Sequence, residues 1–167
     1  MDLLRVINVS KVYGNSEETN FHALKDVNIT FSNAGLVSII GKSGSGKSTL
    51  LNIIARLDKA TSGDVLIDGK NIKNKKFDKN IYKEWVSTLF QSYCLIEDEN
   101  VLFNVMLPLL IKGKSKKLAQ AEAISILDKV GIGQEKFKVV TSLLSGGEKQ
   151  RVALARSVVT NPKILLC

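Results

Sequence analysis

The sequence predicts an α/β fold, and three observations predict it. Leu36-Val37-Ser38-Ile39-Ile40 is a short apolar run with β-branched residues, as in a buried strand of a mainly parallel sheet. A glycine-rich turn follows it, and Leu50, Leu51, Ile54 and Leu57 then recur at helical spacing. A further apolar run, Ile164-Leu165-Leu166, begins a later strand after Asn161-Pro162 stops a helix. Strand, glycine turn, helix and later strand together argue an α/β arrangement.

The remaining elements follow in chain order. Leu4-Arg5-Val6-Ile7-Asn8-Val9 and Val27-Asn28-Ile29-Thr30-Phe31 alternate with period two, as half-buried strands do. The polar stretch 14–20 between them reads as a loop. Ser62-Gly63-Asp64 reads as a turn before a strand at Val65-Leu66-Ile67, and Asp68-Gly69 as a hairpin signal after it. Residues 85–90 form a second β-like run. From 101 to 139 the pattern is helical, with Leu118, Ala121, Ile124, Leu127 and Val130 on one stripe closed by Gly131 and Gly133. Val152, Ala155 and Val159 mark the next helix.

The totals bound the class. With 167 residues, 44% hydrophobic and 24% charged, the chain suits one domain with a core. Its longest apolar run, 101–111, contains Asn104 and Pro108 and falls short of the roughly 20 residues that span a bilayer. No export signal is read at the N-terminus. Cys94 and Cys167 are too few for a disulfide framework and fit a reducing cytoplasm. The net charge of +8 suits nucleic acid, an anionic membrane face or a polyphosphate ligand. Its basic runs, 70–83 and 112–117, lack interleaved aromatics and read as solvated faces.

Two motifs carry chemistry. Gly41-Lys42-Ser43-Gly44-Ser45-Gly46-Lys47-Ser48 satisfies G-x-x-x-x-G-K-[ST] between a strand and a helix. The glycines, Gly41, Gly44 and Gly46, let successive N–H groups around Ser43 turn inward as an anion nest. The following helix adds its free N–H groups and positive dipole end. Lys47 is expected on the β- and γ-phosphates of ATP, the Ser48 hydroxyl on Mg²⁺, and Thr49 on the α-phosphate. The second motif is Leu144-Ser145-Gly146-Gly147-Glu148-Lys149-Gln150-Arg151. Ser145 and Glu148 form an S-x-x-E capping box, and the two glycines leave helix N–H groups bare for a phosphate.

That octet, 98 positions after Lys47, resembles the signature motif of the ATP-binding-cassette (ABC) family, and the resemblance covers essentially the whole chain. It implies a P-loop NTPase domain with a RecA-like core, an antiparallel β subdomain and a helical subdomain. The expected division is 1–90 for the β subdomain and P-loop core, 91–143 for the Q-loop and helical subdomain, and 144–167 for the signature helix and the start of a Walker B strand. Tyr13 looks like the aromatic that stacks on adenine. Gln91 looks like the Q-loop glutamine that touches Mg²⁺ and the attacking water. Ser145 and Gly147 would meet the γ-phosphate of ATP held by a second ABC ATPase domain in a head-to-tail dimer. Cofactors implied are ATP and Mg²⁺. The implied function is the ATP-binding subunit of a transporter, an ATP hydrolase serving an integral-membrane subunit from the cytoplasmic face, with no nucleic-acid partner.

Residues 62–65, 90–93 and 104–109 resemble one branch, which serves macrolide export, lipoprotein release, antimicrobial-peptide resistance and a cell-division complex. The family also places a Walker B aspartate at the position of Cys167, then a glutamate, a D-loop and a switch histidine. His22 lies before the P-loop and cannot stand in for that histidine. The domain is thus expected to be incomplete at the C-terminus, with negligible ATPase activity from these 167 residues. A central sheet missing one strand is expected to rearrange, to pair with another chain, or to be poorly stable. Two other readings are a non-transport ABC ATPase and a nucleotide-binding module without hydrolysis. The interval between the motifs holds no sustained heptads, unlike DNA-repair members of the family.

Overall fold

The structure, a computed structural model, describes residues 2–14, 19–32, 35–74, 82 and 84–167. Residues 15–18 of the expected loop, and 75–81 and 83 of the first basic run, lie outside these. The backbone forms two compact units, Met1–Tyr82 and Lys83–Cys167. Both β and α elements are present, as an α/β fold requires.

In the first unit, strands β1 (Leu4–Tyr13), β2 (Phe21–Phe31), β3 (Ser62–Ile67) and β4 (Lys70–Asn71) form an antiparallel sheet in the order β2-β1-β3-β4. Its alternation buries Leu4, Val6 and Val9 of β1 with Val65 and Ile67 of β3. Helix α1 (Lys47–Ile54) buries Leu50, Ile53 and Ile54 and ends three residues earlier than its sequence pattern suggested, because Leu57 is exposed. Asp68 and Gly69 both take positive φ, as a two-residue hairpin turn needs.

Ser62-Gly63-Asp64 is not a turn but the opening of β3. A Cβ on Gly63 would lie 2.1 Å from the Asn8 carbonyl oxygen, where β1 carries an irregular register between Ile7 and Ser10. The glycine serves that close backbone approach, which local turn statistics do not distinguish from a loop.

The larger correction concerns residues 36–40. They form no strand, and Leu36, Val37 and Ile40 are 96%, 61% and 90% exposed. The composition is right for a buried strand, but burial needs flanking strands, and no strand among the described residues pairs with this segment. The expected buried strand at 36–40 is thus absent among the described residues.

The second unit holds β5 (Val86–Thr88), α2 (Val101–Ile111), α3 (Lys116–Lys129), α4 (Gly146–Val158) and β6 (Ile164–Leu166). Strands β5 and β6 pair in parallel with Val86 opposite Ile164. That register brings the residues just before them together, and the Lys163 ammonium sits 3.6 Å from the Trp85 ring centroid. Val101, Val105 and Leu109 of α2, Ala119, Ala123 and Leu127 of α3, and Val152, Ala155 and Val159 from α4 and its end share one core.

The stripe expected on α3 is only partly right. Leu127 is buried, and Ile124 and Val130 pack at the core edge, but Leu118 and Ala121 are exposed. Steps of three residues drift steadily around a 3.6-residue helix, whereas Ala119, Ala123 and Leu127 follow the i+4 row. The closure of α3 is as expected at Gly131, while Gly133 takes no part in it and instead leads into the turn at Gln134–Lys136. Gly131 N–H donates to Asp128 and Ile132 N–H to Leu127, a Schellman pair with both Leu127 and Ile132 buried.

Candidate functional site

The phosphate-loop sequence is folded into a curl. Gly44 and Gly46 take φ of +80° and +88°, and Ser45 N–H donates to the Lys42 carbonyl at 3.2 Å. A Cβ on Gly46 would lie 2.4 Å from the Ala23 carbonyl oxygen and 2.8 Å from Leu24 Cδ2. Only glycine meets both the backbone angle and the β2 contact. Lys47 arches back over the loop, its ammonium donating to the carbonyls of Gly41 (2.9 Å) and Lys42 (2.8 Å). Those bonds hold a cation at the mouth of the curl, next to the start of α1. The helix has no side-chain cap and no acidic residue in its first turn, so its N–H groups and dipole stay available to an anion. Ser48 is exposed, Thr49 half-buried, and neither hydroxyl bonds to another described residue.

Tyr13 ends β1, and its hydroxyl donates to Asp58 at 2.6 Å. The Lys11 ammonium contacts the same carboxylate at 2.7 Å and lies 4.5 Å from the Tyr13 ring centroid. These donors, Lys11 first and Tyr13 second, hold the Asp58 carboxyl down at about 2. The ring is 40% exposed, so a face remains open to a flat ligand.

Gln91 lies just past β5 in a turn, and the chain from it to Asn100 is tethered by polar side chains. Tyr93 and Cys94 take φ of +60° and +48°, which few residues other than glycine adopt. Arg156 of α4 supports that geometry by donating to the Tyr93 and Cys94 carbonyls at 2.7 and 2.6 Å. Its half-burial pushes the guanidinium pKa down. Asn104, fully buried, accepts from Ile96 N–H and donates to the carbonyls of Ile96 and Asn100. Thr141 donates its hydroxyl proton to the Ile96 carbonyl, and its N–H binds Glu99. The segment after Gln91 is thus knitted to the residues that lead into α4.

At the start of α4 the capping box is complete. Ser145 N–H and Oγ both lie 2.8 Å from Glu148 Oε2, and Glu148 N–H donates to Ser145 Oγ. Lys136 reaches the other carboxylate oxygen at 3.0 Å. The Ser145 backbone N–H, its hydroxyl and then Lys136 hold Glu148 at about 2. A Cβ on Gly146 would touch nothing, and one on Gly147 only Arg151 at 3.8 Å. No steric demand among the described residues calls for these glycines, and they leave the N–H groups at the start of α4 uncovered by side chains.

The structure therefore gathers Lys47 with the 41–48 loop in the first unit. In the second it ties residues 93–99, just after Gln91, to Thr141, Ser142 and Arg156, and among the described residues no hydrogen bond joins Gln91 itself to Ser145 or Gly147. Sequence reasoning missed Arg156, Asn104 and Thr141 as tethers, whose partners are backbone groups 4 to 63 positions away. His22 is exposed on β2. Among the described residues no group of three or more His, Cys, Asp or Glu could hold a metal.

Comparison with known proteins gives concordant results. The family model described as ABC transporter matches residues 24–167. The lipoprotein-releasing system ATP-binding protein LolD of Ehrlichia canis is 41% identical over 162 residues, 95% of this chain and 70% of that protein. The methionine import ATP-binding protein MetN 1 of Staphylococcus aureus is 40% identical over 161 residues, 95% of this chain and 46% of that protein. The dimeric ATP-binding cassette MJ0796, solved in a post-hydrolysis state with ADP and Pi, superposes with a TM-score of 0.87 at 38% identity. That match covers 97% of this chain and 72% of the cassette.

Proposed function

Since this chain belongs to the ABC transporter ATP-binding family, we propose that it is the ATP-binding subunit of a membrane transporter, with ATP held on the 41–48 loop. The observation that carries this reading is the curl itself, with Lys47 arched over its carbonyls at the uncapped start of α1. When a nucleotide enters, the loop N–H groups take the phosphate oxygens, and Lys47 exchanges its carbonyl partners for the β- and γ-phosphates. Tyr13 offers its open ring face to adenine, and Thr49 its hydroxyl to the α-phosphate.

The residues also fit Mg²⁺. That ion keeps several waters and takes one or two protein oxygens beside phosphate oxygens, and the Ser48 hydroxyl bonds to no other described residue. Ser48 would hold it, and the ion would neutralise charge on the phosphates; a role for Gln91 toward the ion rests on the family resemblance alone. Gln91 orients the water, which makes it the catalytic residue of this chain. Ser145 and Gly147 act in trans, capping the γ-phosphate of ATP on a second cassette in a head-to-tail dimer. Closure of that dimer drives the membrane partner. In this reading the chain divides functionally at 1–90, 91–143 and 144–167.

No helix among the described residues is long and apolar enough to cross a membrane. The subunit works at the cytoplasmic face, where ATP is supplied, bound to an integral-membrane subunit. Relatives of nearly equal identity are named for lipoprotein release and for methionine import. Identity at this level follows the motor, and the choice of cargo belongs to the membrane partner.

Equilibrium binding of MgATP to the chain, beside Lys47→Ala, tests the reading. Binding by the parent and a loss of about tenfold or more in the variant is expected, from one charge-assisted phosphate contact. Equal affinities, or no binding by either, would remove the 41–48 loop as the nucleotide site.

A further inference from the structure

Helices α2 and α3 are joined by a turn whose chemistry the nucleotide reading leaves unused. Residues 112–117, Lys-Gly-Lys-Ser-Lys-Lys, hold four lysines and no acid. The turn is well defined: Gly113 N–H donates to Leu110 and Lys114 N–H to Leu109, closing α2, while Ser115 caps α3 by accepting from Leu118 N–H. Lys114 is paired with Glu122 at 2.6 Å. Lys112, Lys116 and Lys117 are exposed and pair with no acidic group among the described residues. On either side stand two large aliphatic side chains in water, Ile111 at 69% and Leu118 at 59% exposure.

Lys112, at the C-terminal end of α2, suits that helix's dipole, but Lys116, Lys117 and the two aliphatic side chains do not serve the fold. Lys116 and Lys117 occupy the first turn of α3, where the helix dipole disfavours cations, and no acid there offsets them. Ile111 and Leu118 point away from the core that buries Leu109 and Ala119 beside them. Cations flanked by aliphatic side chains are the pattern that binds a lipid interface, where ammonium groups meet phosphates and short apolar chains enter the acyl boundary. Single-stranded nucleic acid would call for stacking aromatics, and the turn has none, while two exposed aliphatic side chains have no use against a duplex backbone. From charge complementarity and these two exposed side chains, we infer that the α2–α3 turn is a docking surface for anionic phospholipid headgroups. It would hold the subunit against the bilayer independently of its nucleotide.

The test is co-sedimentation with vesicles of equal parts phosphatidylglycerol and phosphatidylcholine, beside vesicles of phosphatidylcholine alone. Binding to the anionic vesicles only is expected. Lysine at an anionic surface is worth about fivefold in partitioning, so the triple variant K112E/K116E/K117E loses about a hundredfold. Ile111→Ser with Leu118→Ser loses several-fold at unchanged melting temperature. The triple variant should melt close to the parent, since acids at 116 and 117 suit the α3 dipole and offset the acid placed at the C-terminal end of α2, and this separates lost binding from lost folding. A control, K25E/K70E/K138E, makes the same change in net charge at other exposed lysines and should retain binding. Equal losses in control and triple variant would overturn the proposal. So would binding to neutral vesicles, or preferential binding to single-stranded RNA that the serine variant leaves intact.

Discussion

The two motif-bearing regions are built in opposite ways. The stretch from Gln91 into α4 is held by its own chain: Arg156, Asn104 and Thr141 satisfy backbone groups at Tyr93, Cys94 and Ile96, and the capping box closes on itself. The phosphate loop has an equally defined curl, but residues 36–40, which lead into it, have no ladder partner among the described residues and leave Leu36 and Ile40 almost wholly exposed. The first region is specified by contacts within its own unit. The second has its final turn built while the segment before it forms no strand, so its rigidity depends on fewer bonds. Substitutions in the first region should therefore register as lost stability, and those in the second chiefly as lost nucleotide affinity.

The strongest test of that contrast is Asn104→Ala. The side chain is fully buried and bonds to several backbone groups, so removal strands Ile96 N–H and empties a polar cavity. A loss of about 3 kcal/mol is expected by denaturant unfolding, with faster amide exchange across 96–100. A loss below about 0.5 kcal/mol would mean that water takes over these bonds and that the segment is not held as described.

Gly46→Ala probes the other side. The new Cβ would press on the Ala23 carbonyl at 2.4 Å in a left-handed backbone, with an expected cost of about 2 kcal/mol. Because the loop must open to relieve the clash, MgATP affinity should fall along with stability. Stability lost at unchanged affinity would show that the curl is not the binding conformation.

How much of this was legible beforehand depends on the range of the interaction. The curl at 41–48, the Asp68-Gly69 turn, the capping box and the glycine closure of α3 are set by residues within a few positions, and all are where the sequence places them. The strand at 36–40 was misjudged because strand formation needs a distant partner, which composition does not reveal. The stripe on α3 failed because a three-residue step was followed where the helix packs on its i+4 row. The partners of Arg156 and Asn104 were not legible, since neither one arginine among several polar residues of α4 nor a lone Asn in an apolar helix announces which distant backbone group it binds.

Arg156→Gln should cost about 1.5 kcal/mol, less than Asn104→Ala because the guanidinium is only half-buried. Its specific readout is local: exchange at 93–95 should quicken while MgATP affinity stays at the parent value. Lysine, which can reach one carbonyl rather than two, should restore part of the protection. If affinity falls as much as protection, the second region governs the nucleotide site and the contrast between the two fails.

The smallest expected effect is one of pH, and it falls in the first unit. Asp58 is held at about 2 by Lys11 and Tyr13, below its ordinary value of 3.8. A carboxyl with a depressed folded-state pKa contributes stability that is complete above the unfolded value and is lost as pH falls through the folded one. The contribution should therefore be intact above about pH 5 and fade between about pH 4 and 2. Glu148 titrates over the same window in the other unit, so total stability alone does not separate them. Comparing parent and Asp58→Asn isolates the term: the two unfolding curves should converge as pH drops through that range. Because Tyr13 shares the carboxylate, its fluorescence should change over the same interval in the parent and not in the variant. A flat difference between the curves would mean that solvent screens the Lys11–Asp58 pair completely and that the end of β1 is held by the sheet alone.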